Sequence, residues 1–98
     1  MADGRELILP AARKEAAQRL SRIEGQIKGI KKMVEEGRYC VEVLGQISAV
    51  HEALRGVGKL IMRNYLENCV TGSLRSGNTK KAKETYAELM EVVYKFAK

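Results

Sequence analysis

No run of apolar residues in this chain approaches the ~20 needed for a membrane-spanning helix. Its opening, MADGRELILPAARKEA, has neither the hydrophobic segment nor the cleavage site of a signal peptide. The expected location is therefore cytoplasmic, with no membrane partner. Only two cysteines are present, Cys40 and Cys69. In a reducing cytosol such a pair is expected to serve as free thiols, metal ligands or redox groups rather than as a permanent disulfide. Tryptophan is absent, and phenylalanine, proline and histidine occur once each. No nucleophile is paired with a base, no phosphate-binding loop is present, and no polar cluster surrounds His51, so an enzyme is not expected.

What the chain does have is Ala, Leu, Ile, Val, Glu, Lys and Arg in the proportions of helices. Leu20, Ile23, Ile27, Ile30 and Val34 follow one another at steps of three and four, an apolar stripe on a helix beginning near Pro10 and ending at Gly37. Val43, Ile47, Val50, Leu54, Val57 and Ile61 form a heptad seam on a second helix, expected from Tyr39 to Val70. The segment TGSLRSGNTKK then reads as a loop, and Ala82, Tyr86, Leu89, Val93 and Phe96 mark a third helix. With no repeat or linker to divide it, the chain is expected to be one domain over residues 1–98. The expected architecture is all-α: three helices per chain, two of them forming a hairpin that pairs with its copy into an antiparallel four-helix bundle. Dimers of this kind are expected to join further into a dimer of dimers.

The cysteines bear on that assembly. Cys40 opens the second predicted helix and Cys69 closes it, and 29 steps at 1.5 Å would separate them by roughly 40 Å in one straight helix. Two antiparallel copies would set Cys40 of one chain beside Cys69 of the other, and the two-fold axis would repeat the site at the opposite end. Charge adds a second theme. The net charge is +6, and Arg13 to Lys32 alone hold seven basic residues against Glu15 and Glu24. Charge by itself does not choose between an anionic partner and a solvated helix face.

The stretch RLSRIEGQIKGIKKMVEEGRYC (19–40), together with QISAV (46–50) and NYLENCV (64–70), resembles the copper-sensing operon repressor family, the CsoR/RcnR type of bacterial transcriptional regulators. The resemblance implies a homodimer or homotetramer of antiparallel helices that represses genes by binding double-stranded operator DNA without a helix-turn-helix. An effector at the intersubunit thiols would weaken that complex. It turns the basic surplus toward DNA, with Arg19, Arg22, Lys28, Lys31 and Lys32 as the expected phosphate contacts, and Arg13, Lys14 and Arg55 as weaker candidates. Gln26 is expected to make polar contacts to DNA or another helix, and Glu24 a structural ion pair.

The sensing site departs from the family pattern. Copper sensors of this type are expected to carry His-Leu-x-x-Cys near the end of the second helix, giving two thiolates and an imidazole for Cu(I). Here the segment is Tyr65-Leu66-Glu67-Asn68-Cys69. A phenol is a poor ligand for a soft monovalent ion, although two thiolates can still hold it. Nickel and cobalt sites draw on several imidazoles, whereas this chain has only His51, expected to be structural or on the surface. Two cysteines without the histidine resemble the persulfide-sensing branch. There a thiolate attacks sulfane sulfur, and the second thiol captures the persulfide across the interface. The product is a cross-link with one or more added sulfur atoms. Cys40 is the expected attacking thiol, assisted by basic neighbours such as Arg38 or Arg63, and Cys69 the resolving one. Persulfide or polysulfide is thus the first expected effector and Cu(I) the alternative, at Cys40 and Cys69, with no obligatory cofactor. Tyr39, Tyr65 and Glu84 are expected to support the thiols from behind.

Overall fold

A computed structural model describes residues 8–97, without the side chains of Cys69 and Ala97. All regular structure among the described residues is helical: α1 (Pro10–Glu35), α2 (Cys40–Asn64), a π-helical segment (Tyr65–Val70), the short α3 (Thr71–Arg75) and α4 (Thr79–Ala97). These fall into two compact units, one over Leu9–Ile61 and one from Met62 onward.

Helix α1 starts at Pro10, whose missing N–H lies where the first helical turn has no acceptor to offer. It stops at a Schellman cap. Gly37 takes φ +69°, its N–H reaches the Val34 carbonyl at 3.1 Å, and the Arg38 N–H reaches Met33 at 3.0 Å. Two residues later the Tyr39 carbonyl accepts from Glu42 and Val43, which starts α2.

Within the first unit the heptad rows divide. Ala16 and Ile23 cluster with Val50 and Val57, and Ile30, Ala53, Leu60 and Ile61 pack against them. The companion rows, offset by three or four residues, stay in solvent: Leu20, Ile27 and Val34 on α1 are 40–61% exposed, and Ile47 and Leu54 on α2 are 46% and 44% exposed. The stripe predicted as a single face is therefore two rows, of which the chain itself covers one.

The second unit corrects the predicted loop. Helical backbone continues past Val70 through Arg75, and the break shrinks to Ser76–Asn78. The polar residues that signal a loop are instead satisfied within helices. Thr71 Oγ1 and the Thr71 N–H both donate to the Leu66 carbonyl. Ser73 and Thr85, both buried, meet hydroxyl to hydroxyl at 2.6 Å, joining α3 to α4, and Ser73 Oγ also lies 3.4 Å from the Lys81 carbonyl. Gly77, with φ +79°, turns the chain, and Asn78 Oδ1 caps α4 by accepting from the Lys81 N–H at 3.0 Å. The inward row of α4 also differs from the predicted one. Ala82, Thr85, Leu89 and Val92 are shielded, whereas Tyr86, Val93 and Phe96 are exposed.

Replacing Ser73 with Ala strands the Thr85 hydroxyl, which is only 1% exposed. The expected cost is about 1–3 kcal/mol, read as a lower urea midpoint with an unchanged slope.

Candidate functional site

Cys40 is the first residue of α2, exposed and unpaired as a thiol. Cys69 lies within the π-helical segment rather than at the end of an α-helix, so the second predicted helix is not uniform to Val70. A π turn inserts a residue into the α ladder and is frequent at functional sites. Asn68 Nδ2 donates to the Asn64 carbonyl at 3.1 Å, adding a side-chain tie within this turn.

The surroundings of the thiols follow from the same elements. Tyr39 precedes Cys40 with its ring 69% exposed, so in the free chain it backs nothing. Tyr65, where the resemblance leads one to expect an imidazole, donates its hydroxyl to Glu88 Oε1 at 2.8 Å and ties the π segment to α4. Glu84, the expected partner on α4, is exposed one turn earlier. The pairing with Glu88 spans 23 residues and depends on how short the 76–78 turn is. A sequence reading that places a loop over 71–81 has no register from which to find it. Arg38 Nη2 is held by Glu42 at 3.2 Å, so its charge is already partnered. His51 is exposed on α2. Among the described residues no three His, Cys, Asp or Glu side chains converge as a metal site within one chain.

The basic residues of α1 separate into two environments. Lys28, Lys31 and Lys32 are exposed and make no ion pair among the described residues. Arg19 and Arg22 instead line a cleft of about 690 Å³ between α1 and α2, shared with Gln18, Gln26 and Glu52. Arg19 Nη2 pairs with Glu15 at 2.7 Å, while its Nη1 lies 3.3 Å from where a Cβ on Gly56 would stand. Neither Glu15 nor Gly56 is singled out by the sequence pattern. The first could have been found from its i,i+4 spacing to Arg19.

The long helical pair has cysteines 29 residues apart in sequence and seven basic residues between Arg13 and Lys32 on its first helix. The family model for the metal-sensitive transcriptional repressor matches residues 12–95, and the chain belongs to that family. It is 42% identical over 84 residues to the copper-sensing transcriptional repressor CsoR of Bacillus subtilis, covering 86% of this chain and 80% of that one. It is 49% identical over 61 residues to the copper-sensing repressor RicR of Mycobacterium tuberculosis, covering 62% and 64%. Among solved structures, the copper-sensing repressor CsoR with Cu(I) from Geobacillus thermodenitrificans superposes with a TM-score of 0.82 at 40% identity, over 92% and 91% of the two chains. The nickel-responsive transcriptional regulator InrS superposes with a TM-score of 0.73 at 42% identity, over 85% and 90%.

Tyr65→Phe removes the tie to Glu88 while keeping the ring. The expected loss is about 0.5–1.5 kcal/mol of stability, measured by denaturant unfolding.

Proposed function

We propose that this chain is an operator-binding transcriptional repressor acting as an antiparallel dimer, or a pair of such dimers, whose effector acts on Cys40 of one subunit and Cys69 of the next. The observation that carries the reading is the pairing of an exposed, free Cys40 at the head of α2 with Cys69 in a π turn 29 residues along the same helical run. The uncovered heptad rows supply the contact. Leu20, Ile27, Val34, Ile47 and Leu54 repeat every seven residues, as a partner helix would require.

Lys28, Lys31 and Lys32, with Arg19 and Arg22, would neutralise operator phosphates and release counterions. The effector would then act by shifting the subunits, so that these cations no longer match the phosphate spacing. A coupling of about 1–3 kcal/mol is the usual scale for such linkage. Charge reversal at Arg19 and Arg22 is expected to abolish operator binding and leave the oligomer intact. Gel filtration beside anisotropy titration checks both, and unchanged affinity at moderate salt contradicts the assignment.

For the effector, relatives named copper-sensing favour Cu(I) over persulfide. Two thiolates are a fitting soft donor pair for that ion. Relatives responsive to different metals share this fold, however, so the donor set decides. Persulfide is kept as a second reading on one observation: where an imidazole is expected, Tyr65 stands with its hydroxyl engaged by Glu88. Anaerobic Cu(I) is expected to release the operator from the unmodified protein and from neither Cys40→Ser nor Cys69→Ser. Failure of Cu(I), with polysulfide producing a covalent dimer of added sulfur mass, would move the assignment to persulfide. Release that persists in both variants would place the effector elsewhere.

A further inference from the structure

We infer that Gly56 is a positioning residue for Arg19: having no side chain, it leaves the surface of α2 open for the guanidinium to lie on, which sets the direction from which Arg19 meets an anion. This rests on the operator-binding reading above and adds a residue to it. Arg19 is paired through one terminal nitrogen and lies against α2 with the other. Its Nη2 is fixed by Glu15 one turn earlier on α1, at 2.7 Å. Its Nη1 reaches across to α2, so close that a Cβ on Gly56 would stand only 3.3 Å away. Of the four remaining guanidinium N–H directions, those not turned into the cleft are left for a phosphate oxygen.

Glycine in the interior of a helix is costly, because alanine or leucine at the same position would restrict the unfolded chain and favour the helix. In four other helical positions, Gly25, Gly29, Gly45 and Gly72, an added Cβ meets nothing within 4 Å. At Gly56 alone among the helical glycines so described does an added side chain meet a functional one. A β-carbon there need not break the fold, since the atom it meets is the far end of a flexible side chain. It does have to move Arg19.

That combination predicts opposite signs for stability and binding. The test uses full-length protein and a duplex selected by the wild-type chain from a random library, titrated by anisotropy at several KCl concentrations. Gly56→Ala and Gly56→Leu are expected to unfold at the same temperature as wild type or higher. Their operator affinity should fall by about threefold and tenfold respectively, with the salt slope reduced by about one phosphate contact for Leu. Gly45→Ala is expected to bind as wild type does, and in an Arg19→Gln background Gly56→Leu should cost nothing further. Unchanged affinity in both Gly56 variants overturns the inference. So does an equal loss in Gly45→Ala, or a loss that adds fully to that of Arg19→Gln. A wild-type chain that selects no duplex removes the operator-binding reading itself, and this inference with it.

Discussion

The packing of Ala16 and Ile23 on α1 against Val50 and Val57 on α2 sets the register of the hairpin, and through it the exposure of the other apolar rows of α1 and α2. With those rows facing each other, the neighbouring rows, offset by three or four residues, remain on the outer flank of the pair. Leu20, Ile27, Val34, Ile47 and Leu54 are left in water in a single chain. Exposure of one such residue is ordinary, but a repeating row on each of two helices is the pattern of an interface. The same register brings Arg19 over Gly56 and opens the polar cleft that holds Arg22. The uncovered apolar rows and the placement of Arg19 and Arg22 thus depend on one set of contacts.

The second unit is held by different means. Its α3–α4 junction relies on a buried hydroxyl pair and on side-chain caps at Ser76 and Asn78 rather than on large apolar side chains. Polar ties of this kind are directional, and they fix the orientation of α4 relative to the turn that carries Cys69. Tyr65 and Glu88 add a further tie between the same two elements.

Much of this was legible in the sequence. Pro10 and Gly37 mark the ends of α1 because each suits one backbone geometry, and the alternation of three and four steps marks the helices. The three-residue turn and the π segment were not legible. Thr71, Ser73 and Ser76 look like loop residues until their hydroxyl partners are known, and those partners lie up to 12 residues away. The α4 row was misread for a related reason: Thr85 is the most buried residue of that helix, and its polarity hides it from a hydrophobic pattern. At the candidate site, Cys40 opens α2 and the basic residues from Arg13 to Lys32 lie along α1, as the helix pattern placed them. Glu88 and Gly56 could not be read from that pattern, since each matters only through a residue on another helix. The membership of the family agrees with the resemblance carried by residues 19–40 and 64–70.

In the proposed repressor the two thiols meet between subunits and not within one. This is tested most directly by mixing isotopically light Cys40→Ser chains with heavy Cys69→Ser chains, treating the reassembled protein with a short bifunctional thiol reagent, and weighing the products. The account predicts a cross-linked species of one light and one heavy chain, joining Cys69 of the first to Cys40 of the second. Cross-links confined to light–light or heavy–heavy pairs, or none at all while wild-type chains cross-link internally, would contradict it.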